Sequence, residues 1–193
     1  MQTKRQTQIL NSSIGLIAQK GIQGFTIKNL SEKIGISEPA LYRHFKSKTD
    51  ILKTILNNFK VVVETISSTH SNAGGSTADK IATMFIQLLN IFDEQPTLIS
   101  VMFSEEIFRN ELSLKNNICE IQDMLQLNLE HILKTGQKSG NIRSDIDKRI
   151  LALMLMGSFR LMMKRWDSSE HHFNLKLEGE KLIKSFKLII LEN

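Results

Sequence analysis

Thr26–Lys48 reads T-I-K-N-L-S-E-K-I-G-I-S-E-P-A-L-Y-R-H-F-K-S-K, and its spacing sets the reading of the whole chain. Thr26 precedes Ile27, Leu30 and Ile34, one apolar face at helical spacing, and its hydroxyl suits an N-cap. Gly35 stands where a helix end favours a left-handed residue. Ile36 then plugs between two helices and Ser37 caps the second. Pro39 falls in that helix's first turn, where its missing N–H costs little. Leu41 and Phe45 point inward, which leaves Glu38, Ala40, Tyr42, Arg43 and His44 facing a partner. The expectation is a helix-turn-helix with a polar, aromatic and basic outer face.

Upstream, Ile9, Leu10, Ile14, Ile17 and Ala18 predict a helix over Thr3–Lys20, ended by Gly21. Lys4 and Arg5 oppose the helix dipole at its start, a local cost that makes sense if they reach for phosphates. Charge is unevenly placed along the chain. Residues 1–60 hold ten Lys or Arg against three acids, a balance of +7, while the remaining 133 residues balance at −2. A basic head on a nearly neutral body is the footprint of a polyanion-binding module joined to a domain with another task.

Downstream, the chain reads as all-α, with about nine helices in total. Of 193 residues only 10 are Gly and 2 are Pro, and strand-like alternation is absent. One amphipathic helix runs from Lys48 to Ser68 and links the basic head, residues 1–47, to a larger domain, residues 48–193. Further helices follow from Thr77 to Glu94, from Leu98 to Ile107, and from Ile118 to near Gly136. Ser144, with Asp145 and Asp147, caps the next helix, Ile146–Trp166, which is apolar almost all round. The last helix, Phe173–Leu191, is similarly rich. Two such helices from each of two subunits form a four-helix bundle, with Leu155, Met162, Met163, Leu182, Phe186, Ile189 and Ile190 at the seam of a homodimer. The competing reading is a monomer with one thick core.

No enzyme site stands out, and no cofactor is expected. His171 and His172 are adjacent and diverge on a helix, so they do not chelate one metal. Glu105 and Glu106 are likewise adjacent and share no face. A lone Cys119 beside Ile118 reads as a structural thiol and excludes an internal disulfide. No leader or bilayer-length apolar run is present, so the expected setting is the cytoplasm, with no membrane partner.

A helix ending in Lys20-Gly21, then F-T-I-K-N-L-S-E-K-I-G-I-S-E-P-A-L-Y-R-H-F-K-S-K-T-D-I-L over Phe25–Leu52, resembles the amino-terminal domain of the TetR family (AcrR-like) of bacterial transcriptional regulators. The segment L-Y-R-H-F-x-S-K-x-x-I-L is its most specific part. The resemblance covers about the first quarter of the chain, and beyond it only the helical layout and length agree. Ser31 stands where many members carry alanine, and it is small enough for the same close contact.

The resemblance implies that Thr26, Tyr42, Lys46 and Lys48 contact phosphates, while Glu38, Pro39, Ala40, Arg43 and His44 lie along the major groove of a palindromic operator. Lys28 fits either a backbone contact or an ordinary surface lysine, and Tyr42 and His44 have packing or solvated readings beside the DNA one. It also implies a repressor released by a small hydrophobic or aromatic effector. Met84, Phe85, Leu88, Met102, Phe103, Phe108, Met124, Met154 and Phe159 come from helices that the family arranges around a pocket. Ordinary core packing is the alternative for each of them. Arg109, Arg160 and Gln87 are weaker candidates for a polar anchor. A DNA-bound adaptor that recruits a protein is the competing function, and an enzyme on a helical scaffold a remote third.

Overall fold

The computed structural model describes residues 2–72, 75–104 and 111–191, and among them it holds nine α-helices and no strand. They are α1 (Lys4–Gly24), α2 (Ile27–Ile34), α3 (Glu38–Tyr42), α4 (Lys48–Asn72), α5 (Thr77–Glu94), α6 (Thr97–Met102), α7 (Leu112–Lys138), α8 (Lys148–Ser168) and α9 (Leu175–Ile190). The all-α expectation stands. The chain forms two compact units, Met1–Lys60 with Pro96–Cys119, and Val61–Gln95 with Glu120–Asn193. This grouping differs from a division after residue 47, because α4 and α7 each give residues to both units.

In the first unit α1 packs on α2 and α6, and α2 on α3. A capping box opens α1: the Thr3 hydroxyl accepts the Gln6 N–H, and the Gln6 side chain accepts the Thr3 N–H. The helix does not end at Gly21, as its sequence suggests. Gly21 takes φ 65° and the chain kinks there, then completes another turn to Gly24. No atom lies within 4 Å of where a Gly21 Cβ would sit, so only its left-handed φ demands glycine. Ile9, Leu16, Phe25, Leu30, Leu41, Ile51 and Val101 are fully or almost fully buried. Ser31 is buried too, and its hydroxyl is satisfied by the Lys28 carbonyl at 2.8 Å. Cys119 is exposed although Ile118 beside it is buried, so the packed-thiol expectation is corrected.

In the second unit α9 packs against both α5 and α8. Phe85 joins all three helices, with its ring 5.2 Å from that of Phe159 and 4.9 Å, edge-on, from that of Phe186. Gly179 lets α9 sit tightly on α5, since a Cβ there would come within 2.5 Å of Leu89. Lys187 reaches Asp79 at 2.5 Å, and that bond, followed by the one from Ser76, holds the Asp79 carboxyl below the ordinary carboxylate range. The starts of α8 and α9 differ from the sequence reading. Asp147, not Ser144, caps α8, because its carboxylate accepts the Arg149 N–H at 2.9 Å. Asn174 caps α9, which starts two residues after Phe173. Among the described residues no helix is long and apolar enough to cross a membrane.

Candidate nucleic-acid interface

The Thr26–Lys48 stretch folds as two short helices at a tight turn, and each local signal has a physical counterpart. The Thr26 hydroxyl accepts the Asn29 N–H at 3.1 Å. Gly35 adopts φ 74°, ψ 38°, and its N–H returns to the Ser31 and Glu32 carbonyls. The Ile36 N–H adds a second bond to Ser31, closing α2 in the manner of a Schellman end. Ser37 then caps α3 through the Ala40 N–H, and Pro39 lies in its first turn.

The helix is shorter than its spacing suggests. It ends at Tyr42, and Arg43 and His44 lie in the turn that follows, with the His44 and Phe45 N–H groups returning to Leu41. Leu41 and Phe45 nonetheless fill the interior, which orients everything between them. Glu38, Pro39, Tyr42, Arg43 and Lys46 are exposed, Ala40 and His44 half-buried. Tyr42 exposes 49% of its surface. Thr26 and Lys28 are exposed on α2 and its cap. Among the described residues the side chains of Lys28, Arg43 and Lys46 enter no ion pair, so this face is cationic without internal compensation.

Lys48 behaves differently from the other candidate phosphate contacts. Its ammonium donates to the Ile22 carbonyl at 3.1 Å and lies 5.2 Å from the centre of the Phe25 ring. It therefore ties the start of α4 to the end of α1 and has a fixed position. Sequence reading missed Gln6, whose side-chain amide reaches the His44 carbonyl at 3.5 Å and joins the first turn of α1 to the end of the outer helix. The Thr3-x-x-Gln6 pattern was legible as a capping box, but the long-range bond was not. Asp50, the acid in α4's first turn, accepts the Lys46 N–H at 2.9 Å and so fixes the loop that carries Lys46.

The residues expected around an effector divide between the two units. Met84, Phe85, Leu88 and Phe159 are buried in the second unit, where Met124 is half-buried and Met154 is 47% exposed. Met102 is buried and Phe103 half-buried in the first unit, and Phe108 and Arg109 lie outside the described residues, as do Glu105 and Glu106. One polar group was not anticipated: the Asn128 carboxamide, on α7, donates to the Met84 sulfur at 3.7 Å. Of the residues expected at a dimer seam, Leu155, Met163, Phe186 and Ile190 are buried by their own unit, Met162 and Leu182 are half-buried, and Ile189 is exposed. The first four are core residues of one chain, because they lie on the sides of α8 and α9 that meet each other and α5. No group of three His, Cys, Asp or Glu among the described residues is placed to hold a metal ion.

Residues 9–55 match the family described as bacterial regulatory proteins, tetR family, and residues 55–191 match the family described as YsiA-like protein, C-terminal region. The nucleoid occlusion factor SlmA of Haemophilus ducreyi is 26% identical over 177 residues, covering 88% of this chain and 87% of that protein. The ketosteroid transcriptional regulator KstR2 of Mycobacterium tuberculosis superposes with a TM-score of 0.85 at 14% identity, covering 100% of this chain and 98% of the other. The transcriptional regulator FadR of Bacillus subtilis, crystallised with stearoyl-CoA, superposes with a TM-score of 0.78 at 20% identity, covering 95% and 98%.

Proposed function

Because the chain belongs to the tetR family of bacterial regulatory proteins, we propose that it is a homodimeric repressor, released from a palindromic operator by a small hydrophobic effector. The observation that carries the DNA half of this reading is the row Tyr42, Arg43 and Lys46: exposed, without ion pairs among the described residues, and set at the end of α3 and in the turn and loop after it, where Leu41 and Phe45 are buried. Thr26, Tyr42 and Lys46 take phosphates, the hydroxyls donating and the lysine as a point charge. Lys48 presents its charge from the position that Ile22 and Phe25 fix. Arg43 pairs with guanine O6 and N7, Glu38 accepts from cytosine N4, and Pro39 or Ala40 touches a thymine methyl. His44 and Lys28 lie beside them.

Two such helices, about 34–36 Å apart, enter successive major grooves. In functional terms residues 1–47 hold the operator, residues 48–193 hold the effector and the second subunit, and the helix from Lys48 to Ser68 couples the two. The setting is the cytoplasm. The effector lies in the larger unit beside Met84 and Leu88, one α5 face by their i, i+4 spacing. There Asn128 has a thioether as its hydrogen-bond acceptor, and an effector carbonyl is a better one. The Bacillus subtilis regulator bound to stearoyl-CoA supports a long acyl chain as the class to try first.

Fluorescence anisotropy on DNA from immediately upstream of the coding sequence tests both halves. Tight binding that falls steeply with salt, and release by stearoyl-CoA, are the expected results. No preference over random DNA sinks the repressor reading, and indifference to stearoyl-CoA sinks the acyl-chain class. One observation favours a second reading, the similarity to a nucleoid occlusion factor. In it the chain is a DNA-bound adaptor whose larger part recruits a protein. A protein retained by the DNA-bound chain and lost from the free one, with no response to hydrophobic molecules, would select it.

A further inference from the structure

Arg43, His44 and Lys46 lie between α3, which ends at Tyr42, and α4, which begins at Lys48. No helix holds them, so their side chains point where the turn and loop are fixed from outside. The Leu41 carbonyl accepts the His44 and Phe45 N–H groups, and the Phe45 side chain is buried. The Gln6 carboxamide reaches the His44 carbonyl at 3.5 Å. Beyond Phe45 the backbone is fixed by Asp50, whose carboxylate accepts the Lys46 N–H at 2.9 Å.

That bond belongs to a variant of the capping box. The Ser47 hydroxyl accepts the Asp50 N–H at 3.1 Å, as an N-cap does for the third helical residue. The return bond of a capping box ends on the N–H of the cap residue itself. Here it ends one residue earlier, on Lys46. The Phe45–Lys46 peptide is planar, so a fixed N–H fixes its plane. With Phe45 buried on one side of that plane, the point from which the Lys46 side chain leaves is set on the other.

By charge alone Asp50 is misplaced. It is one of three acids among residues 1–60, and it lies in the first turn of α4 beside Lys46 and Lys48. A carboxylate near bound DNA repels phosphates, so on charge alone its removal tightens binding. Among the described residues Asp50 enters no ion pair, so it does not neutralise either lysine. Resting on the repressor reading above, we propose that Asp50 is a positioning residue for operator binding. It holds the Lys46 backbone ready, so the ammonium meets a phosphate without the loop first having to be ordered. This gain outweighs the repulsion that its own charge adds.

Fluorescence anisotropy of the full chain on DNA from immediately upstream of the coding sequence tests this, with the folding of each variant checked by circular dichroism. Asp50→Ala should weaken binding about tenfold and lower its salt slope by about one, as the loss of one phosphate contact does. Asp50→Asn keeps the acceptor and drops the charge, and should restore binding to the parent level or better. In a Lys46→Ala background, Asp50→Ala should change binding by no more than about twofold, because the two residues act as one unit. Binding unchanged or tightened by Asp50→Ala overturns the proposal, as does Asp50→Asn binding as weakly as Asp50→Ala. An equal loss in both backgrounds also overturns it, since Asp50 would then act by holding α4 rather than Lys46. Should Asp50→Ala not fold, Asp50→Leu, which removes the acceptor at similar size, replaces it in each comparison. A parent chain that binds random DNA as well as the upstream DNA fails the repressor reading instead, and the proposal with it.

Discussion

The pairs α2–α3 and α8–α9 are built alike and end differently. Each consists of two helices with a short connection, and each buries one apolar face in its own unit. The outward side of the first pair presents Tyr42, Arg43 and Lys46, and that of the second presents Ile150, Leu153, Met154 and Leu161. The inner faces make the fold, and the outer faces differ in charge and polarity. A cationic face without ion pairs suits a polyanion, whereas an apolar face suits a surface like itself.

The largest expected effect breaks the first pair from within. Leu41→Ala should cost about 2–5 kcal/mol of stability, the range for a large-to-small change in a packed core, read by urea denaturation, and operator binding should fall with it. A loss below 1 kcal/mol would mean that α3 is not anchored as described. Arg43→Ala acts on the outer face alone. It should weaken operator binding by about 1–3 kcal/mol and relax preference at one base pair, with the unfolding midpoint unchanged. Uniform weakening across all sequences would instead make Arg43 a phosphate contact.

Two glycines then sharpen the contrast at smaller scale. Gly35→Ala forces a side chain into a left-handed conformation and should cost about 1–2 kcal/mol of stability. Gly157→Ala, in helical backbone with open space, should raise the stability of the chain by up to about 1 kcal/mol. Equal signs for the two substitutions would refute the distinction between a glycine held in a left-handed turn and one in ordinary helical backbone. The smallest effect is acid-linked. Lys187 depresses the folded-state pKa of Asp79, so the unfolded chain takes up that proton more readily. The contribution is present above about pH 4, the ordinary aspartate value, and is lost as pH falls through the folded value. The stability difference between the parent chain and Asp79→Asn should therefore shrink on acidification, and a gap that widens would refute the ion pair's role.

The helix-turn-helix was legible because its signals are local. A cap, a left-handed glycine, a proline in a first turn and two inward apolar residues each act within a few positions; the caps and the glycine have their hydrogen bonds, and Leu41 and Phe45 are buried. The end of α3 was less legible, because nothing local marks why the helix closes at Tyr42 rather than Phe45. The division of labour within α8 was not legible at all. Apolar residues on every side say that a helix is buried somewhere, but not which residues its own chain covers. Leu155 and Met163 are covered by their own chain, as Phe159 and Trp166 are.

The sequence by itself determined the all-α class, the basic head and the helix-turn-helix, since periodicity, charge and caps are properties of neighbouring residues. Only the tertiary structure decided that Lys48 is held at Ile22 and Phe25, that Gln6 reaches the end of the outer helix, and that Gly157 rather than Leu155 faces outward. Each of these depends on which distant segment comes to lie alongside, and packing, not local spacing, makes that choice.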